Sequence, residues 1–174
     1  MRKKGLQVAA MVSAALLSGY AILPAQAGET EISYLSSYIG DWKGSGALVG
    51  GQGSEEFRCR LKVSKGNQAK INYAGRCSLV DMNLSVSGTI AFDDKARRYQ
   101  AAMSSNAGFT GVAVGQKSGD TISFDLSEKQ IDRAGNNVRI GSKIKLIADT
   151  ITVDFEVEFN ESGDVLTASV PFAR

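Results

Sequence analysis

The chain contains no histidine, only two prolines, two cysteines and one tryptophan among 174 residues. The missing histidine removes Ser–His–Asp triads, His-based acid–base pairs and every His-ligated zinc or haem site. Two cysteines without histidine cannot close a zinc site, and Cys59 and Cys77 are too far apart in sequence to be a C-x-x-C pair. No metal or cofactor is therefore expected. An excess of one charge is missing too. The chain carries 20 basic and 18 acidic residues, but Arg2, Lys3 and Lys4 lie in a leader without acids. Without that leader the balance is 17 against 18, which offers a nucleic acid no basic face.

The leader has the three parts of a secretory signal. Arg2, Lys3 and Lys4 precede an apolar stretch from Leu6 to Leu23, and Pro24 then Ala25-Gln26-Ala27 supply the small-residue exit. Residues 1–27 are read as a signal peptide cleaved after Ala27, and residues 28–174 as one exported, most simply periplasmic, domain. A chain of that length buries roughly 70% of its unfolded surface, enough for a core of its own.

Residues 28–174 are rich in short β-patterned segments divided by Gly, Asn and Asp, the signature of an all-β sandwich or barrel. One helical stretch precedes them. Leu35, Tyr38 and Ile39 fall at i, i+3, i+4 and predict one or two turns before Gly40. The period then becomes two. Phe57, Cys59, Leu61 and Val63 share a face, as do Ile71, Tyr73, Gly75 and Cys77 after the Lys65-Gly66-Asn67 turn. Similar rows run through Leu84–Phe92, Tyr99–Met103, Ile122–Leu126, Ile151–Phe159 and Leu166–Phe172. Phe109–Val114 reads as a short strand, Ser127–Asn137 as a loop, and Ile144–Ala148 leads to a turn near Asp149-Thr150. Nine or ten strands with hairpin-length connections predict an antiparallel up-and-down barrel of about eight to ten strands with a short N-terminal helix. A membrane-spanning barrel is disfavoured by its short strands and by the absence of aromatic girdles.

Several clusters invite a chemical reading. Gly44, Gly46, Gly50, Gly51 and Gly53 precede Glu55-Glu56 and a strand, where a phosphate cradle would need a helix, so they read as a bending strand and its loop. Asp154, Glu156 and Glu158 share one strand face. A turn at Asp149-Thr150 sets Lys145 opposite Asp154 and Lys143 opposite Glu156, which makes this a solvated, charge-paired face. Lys129, Arg133, Arg139, Lys143 and Lys145 form a basic stretch read as a solvated loop. No G-x-S-x-G elbow or S-x-x-K element stands out, and the protein is expected not to be an enzyme. The turn after Lys65 makes two strands neighbours and sets Cys59 nearly opposite Cys77 on their apolar faces, which predicts a disulfide in an oxidising compartment.

The segment Gly40-Asp41-Trp42-Lys43-Gly44-Ser45-Gly46 resembles the G-x-W opening strand of lipocalin and calycin barrels, and more narrowly the G-x-W-x-G-x-G of nitrobindin-like ten-stranded barrels. The resemblance implies that Trp42 packs across the closed end as a structural residue. Nitrobindins hold haem through a histidine near the C-terminus, so haem does not carry over. The cysteine pair also resembles the single disulfide of small periplasmic lipocalin-like inhibitors of secreted metalloproteinases. There the segment before the barrel enters the protease cleft, and Gly28-Glu29-Thr30-Glu31 would correspond to it.

The first expectation is a non-catalytic barrel for a small apolar ligand or an envelope role, entered from the end opposite Trp42. The second is a barrel that binds a protein such as a secreted protease. Large inward residues such as Phe57, Tyr73 and Phe155 alternate with small ones such as Gly75, Gly88 and Gly111, which leaves room between layers. Tyr73, Tyr99, Gly88 and Gly111 are the candidate ligand-binding residues, the tyrosines because each puts a hydroxyl on an apolar row.

Overall fold

The computed structural model describes residues 27–51, 53–80, 82–131 and 135–174. The expected signal peptide lies outside the described residues, apart from Ala27. Helix α1 (Ala27–Ser36) is followed by ten strands. These are β1 (Gly40–Gly50), β2 (Gly53–Lys65), β3 (Lys70–Ser78), β4 (Asn83–Asp93), β5 (Arg98–Ser105), β6 (Thr110–Ser118), β7 (Thr121–Ile131), β8 (Asn137–Ile147), β9 (Thr150–Phe159) and β10 (Val165–Ala173). Each pairs antiparallel with its sequence neighbours, and β1 pairs with β10 to close the barrel. The period-two rows explain this, because closure buries one face of every strand and leaves no free edge.

The inward rows make a large core cluster that includes Phe57, Leu61, Ile71, Ile90, Phe92, Ile122, Phe124 and Phe172, and a smaller one of Val138, Ile140 and Val157 toward the loop end. Outward positions on β2, β3, β8 and β9 carry charged residues, including Arg60, Lys62, Arg76, Lys143, Lys145 and Glu156. No described helix is long and apolar enough to cross a membrane. Glycine is required where β1 meets β10. A Cβ on Gly44 would stand 2.6 Å from the Pro171 carbonyl oxygen, and one on Gly46 would stand 2.5 Å from that of Ser169.

Three details differ from the sequence reading. The helix begins eight residues before Leu35 and ends at Ser36, and Ile39 is 38% exposed at the approach to β1. Its first turns carry Glu29, Thr30 and Glu31, which no apolar period reveals.

Ser127–Ile131 is not loop but the end of β7, paired residue for residue with β8. Beyond Leu126 this strand has no buried residue, so its backbone ladder holds it without an apolar row.

The β8–β9 turn is Ala148-Asp149, with Ile147 opposite Thr150 and Ala148 at φ 46°. That shift sets Lys143 opposite Asp154 and Lys145 opposite Thr152, and Glu156 faces Gly141. An alanine with positive φ carries no turn signature of the Gly or Asn kind. The face is still charge-paired. Lys145 Nζ reaches Asp154 Oδ2 diagonally at 3.4 Å, Lys143 Nζ reaches Asp125 Oδ1 at 3.1 Å, and Arg139 pairs with Glu158. Of the remaining basic stretch, Lys129 sits on β7 opposite Arg139, and Arg133 lies outside the described residues.

Two junctions of the wall are incomplete: the β1–β10 register stops after Gly44 with Phe172 and resumes at Leu48 with Ala168, and the β6–β7 ladder is short. β6 and β7 pair only from Gly115 with Phe124 to Ser118 with Thr121. Above that, the Gln130 side chain spans to the Thr110 backbone. Its Oε1 accepts from the Thr110 N–H at 3.3 Å, and its Nε2 donates to the Thr110 carbonyl.

Candidate functional site: an apolar cavity inside the barrel

Strand direction defines two ends. The starts of β1, β3, β5, β7 and β9 gather at one end, together with α1. The hairpin loops β1–β2, β3–β4, β5–β6, β7–β8 and β9–β10 gather at the other.

Aromatic residues close the helix end. Trp42, 1% exposed, donates its indole N–H to the Tyr38 carbonyl at 2.9 Å. Its ring stacks on Tyr38 with centroids 6.1 Å apart, and the Arg174 guanidinium lies 4.6 Å from the indole centroid. Arg174 also donates to the Ser37 carbonyl. The Tyr38 and Tyr34 hydroxyls are 2.9 Å apart, and Tyr34 donates onward to the Asp120 carbonyl. Burial, then the hydrogen bond with Tyr34, pushes the Tyr38 phenol above its ordinary range.

Glu31 ties the helix to the wall. Its carboxylate accepts from Lys117 Nζ at 2.5 Å and from the Tyr99 hydroxyl. Burial acts to raise the Glu31 pKa, but the bonds from Lys117 and Tyr99 outweigh it and hold it below the ordinary value. Gly28–Glu31, the segment that a protease cleft would receive, is thus part of a docked helix.

Above this floor lies a cavity of about 640 Å³ that reaches from Tyr38 to the loop end. Aliphatic and aromatic side chains from β1–β5 and β8–β10 line it. Leu61, Leu146, Ile151 and Phe172 surround the lower part, while Phe109, Phe159, Leu79 and Met82 stand near the loops. Phe109 and Phe155 face each other with centroids 6.4 Å apart. At the loop end Val80 is 79% exposed and Met82, which lines the cavity, is 51% exposed, both on the β3–β4 connection, while Val49, Ile131 and Val165 are exposed on outward positions of β1, β7 and β10. The Cys59–Cys77 disulfide joins directly opposed residues of β2 and β3 on the inner wall and borders this space.

The candidate residues fall in different places. Tyr73 lines the cavity and donates to the Ala102 carbonyl across β4 at 3.1 Å, and burial pushes its phenol up to about 12. Tyr99 is at the helix end. Its ring meets Phe92 edge-on at 5.0 Å, its hydroxyl serves Glu31, and it does not line the cavity. Gly88 lies under the Tyr73 ring, where a Cβ would stand 2.5 Å from the phenol oxygen and 2.0 Å from the Ala102 carbonyl oxygen. Gly111 faces Leu126 beside a recess of about 10 Å³ behind the β6–β7 junction. These two glycines make room for wall side chains, and Gly75 is the glycine that borders the large cavity.

Sequence reasoning missed Ser142. It is the third of five inward residues on β8, between Val138, Ile140 and Ile144, Leu146, and is 7% exposed. It borders both the cavity and the small recess, and its hydroxyl has no partner among the described residues. Its oxygen opens onto the cavity, since among the described residues no fully enclosed side-chain polar atom lacks a partner; a ligand that seals the hydroxyl unbonded would cost ~1–3 kcal/mol. The period-two row from Val138 to Leu146 is the signal that would have found it. Among the described residues no group of three or more acidic or thiol side chains converges as a metal site.

No family model matches the chain, and no curated protein does. Solved structures do. Rv2717c from M. tuberculosis is 16% identical, with 83% of this chain and 96% of that one covered and a TM-score of 0.64. The S-type phycobiliprotein lyase CPES from Guillardia theta is 14% identical, with 85% and 94% covered and a TM-score of 0.54. Likeness at these identities shows the fold alone, that of a small antiparallel β-barrel.

Proposed function

We propose that the protein is an exported, non-catalytic carrier of a slender apolar molecule, held inside the barrel and admitted at the end opposite Trp42. The cavity of about 640 Å³ carries this reading, since a space of this size and lining matches small-molecule sites. The capped helix end, and Val80 and Met82 exposed on the β3–β4 connection, support entry at the loop end. The leader motif of the sequence and the Cys59–Cys77 disulfide support export, most simply to a periplasm after cleavage behind Ala27. Charged outward positions on four strands support a barrel bathed in water on its outside. The Tyr38 and Tyr73 hydroxyls are engaged with protein partners, and among the described residues no nucleophile with an adjacent base lines the cavity, which supports a binding role.

Displacement of a hydrophobic fluorophore by a panel of fatty acids and fatty alcohols tests the reading. Saturable binding is expected. Ala168→Phe, which fills the inner wall between Leu48 and Phe155, should abolish it in a protein that still folds. A folded wild-type protein that binds none of the panel, and emerges from its own cell without a retained small molecule in native mass spectrometry, would sink the proposal.

A further inference from the structure

The polar groups around the cavity are nearly all committed. The Tyr38 hydroxyl is bonded to Tyr34 at the floor. At the loop end, Ser105 Oγ accepts from the Ala107 and Phe109 N–H groups, and Asn106 is bonded to Ser85 and to the Asn83 carbonyl. Asn83 Oδ1 accepts from Ser78. Arg60 and Arg76 occupy outward positions on β2 and β3. Tyr73 has spent its proton on Ala102 but keeps acceptor capacity. Among the described residues, Ser142 is the one inward-facing polar side chain of the lining that makes no hydrogen bond, at mid-height in a row of branched aliphatics, beside a recess that Tyr73 also lines.

A purely hydrocarbon ligand would seal this hydroxyl away from every partner. Alanine would serve such a ligand better at that position. Resting on the carrier reading above, we infer that the bound molecule carries one hydrogen-bonding oxygen, a ketone or a hydroxyl, part-way along an otherwise apolar frame. Ser142 Oγ–H donates to that oxygen, and a ligand hydroxyl can in turn donate to Tyr73. The competing occupant is a single water, since a recess of about 10 Å³ is near the smallest that holds one.

The test compares palmitic acid with palmitic acids that carry one ketone or hydroxyl at successive mid-chain carbons. Each displaces anilinonaphthalene sulfonate from the wild-type protein, from Ser142→Ala and from Tyr73→Phe. One group of mid-chain positions is expected to bind about two- to tenfold more tightly than palmitic acid, the worth of one net hydrogen bond. Ser142→Ala should bring that ratio to about one, with Trp42 fluorescence confirming the fold. Equal affinities for plain and oxygenated chains in the wild type, or a preference that survives Ser142→Ala, would overturn the inference and leave the carrier reading standing. Failure of every chain to displace the fluorophore would overturn both.

Discussion

Trp42 donates its indole N–H to the carbonyl of Tyr38, four residues back, and stacks on the ring of that same residue. One side chain thus fixes both the backbone path between α1 and β1 and the aromatic floor of the barrel. Trp42→Ala is expected to cost about 3–5 kcal/mol, measured by denaturant unfolding. Trp42→Phe keeps the ring and loses the donor, so it should cost less. A Trp42→Ala protein as stable as wild type would show that the floor does not depend on this ring.

The Glu31 tether gives the helix a pH dependence of known sign. The folded-state pKa of Glu31 lies below its ordinary 4.5, so the tether contributes fully above that value. Its contribution is lost as pH falls through the folded-state pKa. Wild type should exceed Glu31→Gln in stability at neutral pH, and the two should converge in acid below the ordinary value. A difference that stayed constant down to strong acid would show that the charge of Glu31 plays no part.

The Cys59–Cys77 bridge spans 18 residues of sequence between adjacent strands. Closing such a loop stabilises by ~3 kcal/mol in the chain-entropy model. Reduction, or the Cys59→Ser/Cys77→Ser double variant, is expected to lower stability by about that amount. Two free thiols in unfolded, unreduced protein from its native compartment would contradict the bridge.

Two glycines on opposite sides of the barrel make a matched pair. A Cβ on Gly88 would stand 2.0 Å from a backbone oxygen, whereas on Gly141 the nearest atom is the Glu156 Cβ at 3.6 Å. Gly88→Ala should cost about 1–3 kcal/mol through overpacking, and Gly141→Ala should stay within about 0.5 kcal/mol. Equal tolerance at both positions would contradict the close approach of β4 to β5 beneath Tyr73.

What the sequence discloses depends on which interactions are local. The opposition of Cys59 and Cys77 follows from two alternating rows and one short turn, and it is legible. The G-x-W segment likewise announces where the first strand begins. The contact of β1 with β10 joins the two ends of the chain, and no period shows it. Tyr99 reads as a hydroxyl on an apolar row, which is true of its strand. Only the helix laid across the floor reveals that Glu31 takes that hydroxyl. Ser142 escaped because β8 starts with Arg139, Gly141 and Lys143 between its inward residues, and β7 ends without any buried side chain. A strand held by its ladder and not by its apolar face resembles a loop.

The incomplete junction between β6 and β7 makes the barrel mechanically uneven. Parting these strands above Gly115 breaks the Gln130 clasp and the Gly111–Leu126 contact, whereas parting β1 from β2 breaks a ladder of eleven registered pairs. The wall should therefore breathe there at far lower cost than global unfolding. Amide exchange should detect this as early deuterium uptake on the upper β7 segment, faster still in Gln130→Ala, with β1–β2 protected throughout. Uniform protection around the barrel would contradict it. Opening there would widen the small recess that Ser142 and Tyr73 share, with a single glutamine side chain as the latch.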